Sequence, residues 1–324
     1  MTRRLLPLAA TVLVFVLGYL YCMTQFPGFA STRVLGNLLT DNAFIGIAAV
    51  GMTFVILSGG IDLSVGSVIA FTGVFLAAAI GWWGMHPLAA FLVALILATA
   101  FGAGMGCVIH YLDMPPFIVT LAGAFLARGI GFLITTDSIP VTHELYASLN
   151  DAFIRLAGGG RLTIAAIVML AVTVAGMVLA HFTRFGANVY ALGGNRTSAE
   201  LMGVPLAATT IRVYALSGLL AGVAGIVFSF YTSAGYPLAA VGVELDTIAA
   251  VVIGGTLLTG GSGTIFGTLI GTLIQGLIQT YITFEGTLSS WWTKIVVGLL
   301  LLMFILLQRG LTIVGERRAT LARL

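Results

Sequence analysis

The chain has 324 residues, of which 59% are hydrophobic and only 8% are charged. A soluble domain carries about 25% charged residues, so this composition excludes a water-soluble globular protein. The formal net charge is +3, but the basic residues are scattered among loops, which excludes a nucleic-acid-binding stripe. Apolar runs of about 18–23 residues have the length of membrane-spanning helices and exceed the roughly ten residues of a spanning strand. The sequence therefore predicts an all-α polytopic integral membrane protein.

Hydropathy predicts ten membrane-spanning helices with no soluble domain between them, so residues 1–324 form a single transmembrane domain. The first span has a basic start and an apolar core, as a signal peptide has, but no small-residue cleavage site follows, so we expect a retained helix. Ten helices can form two inverted sets of five, an arrangement that is common in transporters. The predicted spans are 5–23, 41–57, 65–82, 88–111, 117–135, 162–182, 212–232, 246–259, 265–283 and 291–308.

The distribution of basic residues predicts the orientation, because cytoplasmic loops carry an excess of Lys and Arg. With the N-terminus in the cytoplasm, four basic residues lie outside, namely Arg33, Arg155, Arg161 and Lys294. The larger, inner set is Arg3, Arg4, Arg184, Arg196, Arg212, Arg309, Arg317, Arg318 and Arg323. An even number of spans then places both termini in the cytoplasm.

The segment LSGGIDLS separates the second and third spans. Gly59 and Gly60 lower the cost of ending a helix. Asp62 and Ser64 can cap the next helix, with the Ser64 side chain accepting from its first amide groups. The alternative is a broken helix that dips into the membrane and lines a polar path.

A similar glycine-rich pattern, AVVIGGTLLTGGSGTIFGT, joins the eighth and ninth spans. A phosphate-binding loop needs a lysine after its last glycine, and this segment has none. We therefore expect a tight turn here and no ATP site on this chain.

Arg128 lies within the fifth span, where a charge is costly in lipid. We expect it to face protein or water, with Asp62 or a helix end as its partner. It either satisfies backbone carbonyls or lines a transport pathway together with Gly59, Gly60 and Asp62. The sequence has no Ser/His/Asp set, no paired carboxylates on one helix face and no metal-ligand spacing of histidines. We therefore expect no enzyme, no metal and no other cofactor.

The segment RFGANVYALGGNRTSAELMGVPLAATTIR forms the longest inner loop. Polar residues from Asn195 to Ser198 can start a short helix with Ala199–Met202 as its body, and Gly203 can end it. Pro205 then prevents its continuation. So short a helix cannot bury an apolar face by itself. It either lies on the membrane surface or docks in a groove of a partner.

Four motifs occur in order along the chain: LSGGIDLSVGS, TLAGAFLARGIGFLIT, YALGGNRTSAELMGVP and IGGTLLTGGSGTIFGTLIG. Together they resemble the membrane subunits of bacterial ABC importers for monosaccharides, the ribose, xylose, arabinose and galactofuranose group. This group is related to the permeases for branched-chain amino acids. The resemblance spans about residues 35–308 and is greatest to a galactofuranose importer permease.

The resemblance implies a permease subunit of the bacterial inner membrane that moves a monosaccharide, here galactofuranose, into the cytoplasm by alternating access. Its partners would be an ABC ATPase subunit, a second permease subunit, identical or different, a periplasmic sugar-binding protein and membrane lipid. The resemblance assigns the ATPase contact to a coupling helix in the inner loop. The residues that match the family pattern are Gly193, Asn195, Ala199 and Gly203, and Glu200 and Leu201 lie on the same helix.

A rival hypothesis is a secondary transporter of a small polar solute that is driven by an ion gradient. It needs a titratable or ion-binding group at the membrane midplane, for which Asp62 and Arg128 are the candidates. Sugar contacts in either class would come from amide, hydroxyl and aromatic side chains. Examples are Gln275, Gln279, Tyr281 and Tyr231, but the sequence does not bring them together.

Overall fold

A computed structural model describes residues 2–289 and 291–321. The described chain is almost entirely helical, as predicted. Its helices are α1 (Thr2–Gln25), α2 (Thr32–Asp41), α3 (Ala43–Leu57), α4 (Val65–Gly81), α5 (Pro87–Tyr111), α6 (Pro116–Ile134), α7 (Glu144–Asp151), α8 (Ile164–Phe182), α9 (Arg184–Gly194), α10 (Arg196–Leu201), α11 (Leu206–Thr232), α12 (Val243–Ile253), α13 (Ile265–Glu285) and α14 (Trp291–Leu321). Four short strands are β1 (Ile139–Pro140), β2 (Phe153–Arg155), β3 (Arg161–Thr163) and β4 (Ala234–Gly235). They form the antiparallel pairs β1–β4 and β2–β3.

Each of the ten predicted spans coincides with a helix. Within the described residues, six helices are long and apolar enough to cross a membrane, namely α1, α5, α6, α8, α11 and α13. Helices α2 and α3 form a further candidate that is bent by 55°, and α4 and the first part of α14 are shorter apolar helices.

The eighth predicted span, 246–259, was too long at its C-terminal end. Helix α12 stops at Ile253 because Gly254 and Gly255 follow, the latter with a φ of +90° that suits glycine.

The predicted loops contain more structure than hydropathy indicates. Helix α2 begins after Ser31, whose hydroxyl accepts from the Val34 amide at 3.4 Å. Helix α9 begins after Thr183, whose hydroxyl accepts from the Gly186 amide at 3.2 Å. These caps satisfy amide groups that the first turn of a helix leaves free. The inner loop is therefore two helices, α9 and α10, and not one short helix.

Helix α11 is the central element of the bundle and packs against α3, α4 and α5. Its approach to α5 depends on glycine, because a methyl group at Gly218 would overlap the Ala98 carbonyl, and one at Gly102 would overlap the Tyr214 carbonyl. Small residues let helix backbones come close where lipid gives no hydrophobic driving force. Helix α3 is buried along nearly its whole length.

The bundle has two distinct ends. At one of them, which we call the α10 end, α10 lies beside the α5–α6 connection, and Arg196 pairs with Asp113 at 3.8 Å. Both side chains of this pair are exposed, so the pair contributes little stability. At the other, which we call the hairpin end, the β2–β3 hairpin and the turn between its strands pack on α2. The Thr32 hydroxyl donates to the Ala157 carbonyl there at 2.7 Å.

Candidate functional site

Helix α10 is defined at both ends by the residues that the sequence singled out. The Asn195 side chain accepts from the Ser198 amide at 2.7 Å, and the Asn195 amide donates to the Ala191 carbonyl at 3.1 Å. Asn195 therefore ends α9 and begins α10. Gly203 follows with a φ of +79°, and its amide donates to the Glu200 carbonyl at 2.9 Å. The predicted start and stop of this helix are confirmed.

The side chains of α10 divide sharply by exposure. Leu201 is 85% exposed and Met202, just beyond the helix, is 71% exposed. Glu200 beside them is also exposed, whereas Ala199 is fully buried against the rest of the chain. We call Leu201 and Met202 the α10 patch. Two adjacent large apolar side chains at a helix end are available to a partner, but Ala199 is not, because its methyl group packs inside this chain.

The C-terminal end of α9 packs against the interior of the bundle through a cluster of glycines, which we call the glycine junction. It consists of Gly59, Gly193, Gly260 and Gly261 with the end of α3. The Gly261 amide donates to the Leu57 carbonyl at 2.9 Å. A methyl group at Gly193 would overlap that same carbonyl, and one at Gly260 would lie within 3.0 Å of Gly59 and Gly193 backbone atoms. The junction thus joins the end of α9 to both glycine-rich segments, 58–64 and 254–264.

Tyr190 makes a second connection between α9 and the 254–264 segment. Its hydroxyl donates to the Gly263 carbonyl at 2.8 Å. Burial raises the pKa of Tyr190, because the low-dielectric surroundings disfavour the phenolate. The hydroxyl therefore remains a donor. Helix α9 is held to this segment by its backbone and by a side chain.

We predict that Gly193→Ala destabilises the protein and that Gly194→Ala does not. A methyl group at Gly193 would overlap the Leu57 carbonyl, whereas nothing lies within 4 Å of one at Gly194. Overpacking of this kind costs about 1–3 kcal/mol. The measurement is the thermal unfolding midpoint of the purified protein in detergent. Equal midpoints for these two neighbouring variants would contradict the close approach at the junction.

Asp62 is buried, at 1% exposure, inside the 58–64 segment. Its Oδ1 accepts from the Ser64 amide at 2.9 Å and from the Ser64 hydroxyl at 2.6 Å. Its Oδ2 accepts from the Ser217 hydroxyl of α11 at 2.7 Å. The predicted side-chain cap on α4 is not formed, because Asp62 accepts from Ser64, which precedes the helix. The prediction that Ser64 accepts from the helix amides is wrong, since its hydroxyl is turned to Asp62.

The Tyr214 ring lies beside the 58–64 segment that contains Asp62. Its hydroxyl is buried without a hydrogen-bond partner among the described residues. A methyl group at Gly60 would overlap that hydroxyl, so glycine is needed there for space. The 58–64 segment thus interrupts the helical run between α3 and α4 and is packed against α11 by Asp62 and Gly60. This geometry favours a broken helix over a cap on an exposed edge.

Arg128 projects from α6 towards the loop between α11 and α12. It donates to the carbonyls of Pro237 at 2.6 Å and Ala239 at 3.2 Å, and to the Ser67 hydroxyl of α4 at 3.3 Å. Glu244, at the start of α12, is close enough to interact with it electrostatically. The expectation that Arg128 satisfies backbone carbonyls is confirmed. The expected pairing with Asp62 is wrong, because other groups occupy both side chains.

The structure brings Gly59, Gly60 and Asp62 together in one segment and joins this segment to Gly193. It leaves Arg128 in a separate polar cluster. Sequence reasoning missed Ser217 and Glu244, because their partners Asp62 and Arg128 lie far away in the sequence and are found only by tertiary contact. Within the described part of the chain, no three His, Cys, Asp or Glu side chains are grouped to hold a metal ion.

Residues 34–305 match the family model described as branched-chain amino acid transport system / permease component. The chain is 65% identical over 318 residues to the inner membrane ABC transporter permease protein YjfF of Escherichia coli K12, covering 98% of this chain and 96% of that protein. It is 36% identical over 322 residues to the fructose import permease protein FruG of Bifidobacterium longum, covering 97% and 93%. It is 38% identical over 287 residues to the ribose import permease protein RbsC of Escherichia coli K12, covering 88% of each. No solved structure matches the chain significantly.

Proposed function

We propose that the chain, which belongs to the permease component family of branched-chain amino acid transport systems, is the membrane subunit of an ATP-driven monosaccharide importer. Its relatives include an inner membrane ABC transporter permease and import permeases for fructose and ribose. The observation that carries this proposal is the exposed α10 patch on a capped helix that is fastened to both glycine-rich segments. An exposed apolar surface of this kind suits the docking of a partner subunit whose conformational changes move α10. Galactofuranose is the first monosaccharide to test.

The partners of the proposed importer are an ABC ATPase subunit, a second permease subunit and a periplasmic sugar-binding protein. The α10 end faces the cytoplasm, and both termini lie there as well. Support comes from the excess of basic residues in the segments assigned to that side. The ATPase docks on the α10 patch, and the sugar-binding protein approaches the hairpin end.

Alternating access follows from how α10 is attached. A push on the α10 patch moves α10 and α9 together, because Asn195 is shared by both helices. The glycine junction has no side chains to absorb that displacement, so it passes to segments 58–64 and 254–264. These segments join α3 to α4 and α12 to α13, and a break in a helix is where two halves can change their angle.

The rival hypothesis, a secondary transporter driven by an ion gradient, is less well supported, because its two candidate ion-binding residues already have partners. Both oxygens of Asp62 already accept hydrogen bonds from Ser64 and Ser217, and Arg128 is engaged by carbonyls. A coupling ion would have to displace these groups. The two candidate residues also lie in separate clusters.

The deciding experiment uses the purified importer in proteoliposomes with ATP trapped on the side of the ATPase. We expect uptake of a monosaccharide that requires the ATPase subunit and hydrolysable ATP and that persists when ion gradients are collapsed by ionophores. A non-hydrolysable ATP analogue is the control. Uptake that is driven by a proton or sodium gradient without the ATPase would refute the proposal and favour the rival.

A further inference from the structure

A cavity of about 740 Å³ lies near the hairpin end between α2, α3, α11, α12, α13 and α14. It is separate from the glycine junction and from the Arg128 cluster. Small-molecule sites typically enclose roughly 300–1,000 Å³, so the cavity has ample room for one monosaccharide. Nothing in the coupling mechanism proposed above uses it.

The walls of the cavity combine amides and hydroxyls with aromatic rings. Asn37 on α2 and Gln279 on α13 supply amides, and Thr283 supplies a hydroxyl. Tyr231 and Trp291 supply aromatic rings. A side-chain amide can donate and accept hydrogen bonds, as a sugar hydroxyl can, so the two groups suit each other. The aromatic rings offer an apolar face to the sugar ring, and the polar groups of Tyr and Trp can form hydrogen bonds beside it.

The first turn of α14 closes one side of the cavity through polar contacts. The Lys294 ammonium donates to both carboxylate oxygens of Asp246 on α12, each at 2.6 Å. The Thr293 hydroxyl donates to the Gln279 side-chain carbonyl at 2.7 Å. Gln275 donates to the Asp246 backbone carbonyl at 3.0 Å. The polar lining is thus built from fixed groups of three helices.

The charge of the lining distinguishes between classes of sugar. Lys294 and Asp246 neutralise each other, and Asp41 adds a carboxylate to the wall. The cavity therefore carries no excess of positive charge that would attract a phosphate or a carboxylate group. A neutral polyhydroxylated ring fits this lining better than a sugar phosphate or a sugar acid.

We propose that this cavity is a binding site for a neutral monosaccharide within the permease chain itself. The inference rests on the proposed function, since it names the place where the transported sugar rests. The sugar would span from the α2 wall at Asn37 to the α13 wall at Gln279. Three of the candidates named from the sequence line the cavity, namely Gln275, Gln279 and Tyr231. Tyr281 does not line it, and its ring stacks with Tyr21.

The test is equilibrium binding of radiolabelled ribose, xylose, fructose and galactose to the purified importer complex without its binding protein. We expect saturable binding of at least one sugar. Asn37→Leu and Gln279→Leu, on two different helices that line the cavity, should each weaken that binding roughly three- to tenfold, as expected for loss of a hydrogen bond. Gln25→Leu is the matched control, since Gln25 is exposed at the same end but lies outside the cavity. It should leave the dissociation constant unchanged.

Two results would overturn the site. One is an importer that takes up sugar with ATP but shows no saturable binding without the binding protein, and the other is unchanged affinity in both wall variants. Competition by glucose 6-phosphate as strong as by the neutral sugar would refute the charge argument. Absence of any ATP-driven uptake would instead refute the proposed function, so the two failures are distinguishable.

Discussion

Leu201→Asp should reduce ATP-driven sugar uptake at least tenfold while the amount of permease in the membrane stays unchanged. Leu201 is 85% exposed, so the aspartate removes little packing within the isolated chain. It does cost in the complex, where the carboxylate would be buried against the ATPase subunit without a partner. Loss of a central interface residue commonly costs about 2–4 kcal/mol of binding. The measurement is uptake in proteoliposomes together with retention of the ATPase on the purified permease.

Two variants separate the apolar contact from general damage to α10. Leu201→Met keeps an apolar side chain of similar size and should retain uptake. Ser198→Asp adds the same charge to the first turn of the same helix, where the helix dipole favours it, and should retain most of the uptake. If the Leu201→Asp variant retains the ATPase subunit normally, the α10 patch is not part of the interface with that subunit.

Ala199→Arg is not a usable test of docking, although Ala199 is one of the residues that match the family pattern in this helix. Ala199 is fully buried, so an arginine there would disrupt packing within this chain whatever the partner does. The loss of uptake in that variant would not distinguish a broken interface from a broken fold. The exposed neighbours Leu201 and Met202 carry the test instead.

Asp62→Ala should cause the largest loss of stability among substitutions in the glycine-rich segments. The carboxylate accepts hydrogen bonds from the Ser64 amide, the Ser64 hydroxyl and the Ser217 hydroxyl. Hydrogen bonds to charged groups contribute about 1.5–3 kcal/mol each, and their loss leaves buried donors unpaired. We expect the thermal unfolding midpoint in detergent to fall by several degrees and sugar uptake to fall with it.

Ser217→Ala is the variant with which Asp62→Ala is compared in a double-mutant cycle. It removes one of the hydrogen bonds and leaves Asp62 with both donors of Ser64, so its effect should be smaller. The double variant Asp62→Ala with Ser217→Ala should be less destabilising than the sum of the two single variants, because both remove the same contact. Strict additivity, or an unchanged midpoint in Asp62→Ala, would contradict the link between segment 58–64 and α11.

The helices could be predicted from the sequence because the membrane imposes long apolar runs. The α10 boundaries could also be predicted, since Asn195 and Gly203 act through local backbone geometry. Both kinds of signal lie within a few residues of the feature that they determine. For this reason the prediction of the spans and of the α10 segment needed no tertiary information.

Helix α9 was missed for a local reason. It contains Gly186, Gly193 and Gly194, and glycine lowers intrinsic helix propensity by about 1 kcal/mol per residue. Gly193 is required by the close approach to Leu57, which is a tertiary demand that overrides propensity. A sequence pattern shows the glycine but not the backbone that it accommodates.

The polar partners were missed because they depend on contacts between distant helices. Asp62 and Ser217 are 155 residues apart in sequence, and Arg128 is more than 100 residues from the carbonyls that it satisfies. Pairing Arg128 with Asp62 was reasonable from charge alone. Neutral hydroxyls and carbonyls proved to be their partners, and such groups leave no charge pattern in a sequence. The cavity walls come from six helices and were beyond prediction for the same reason.

The most direct test of the account is photocrosslinking from position 201 in native membranes, with a photoreactive amino acid in place of Leu201. The same probe in place of Ile154, which is exposed in β2 at the hairpin end, is the control. The account predicts an adduct from position 201, but not from position 154, with a polypeptide that contains a phosphate-binding loop and hydrolyses ATP. Labelling of position 201 by a membrane-impermeant reagent from the periplasmic side, or an ATPase adduct formed only from position 154, would contradict it.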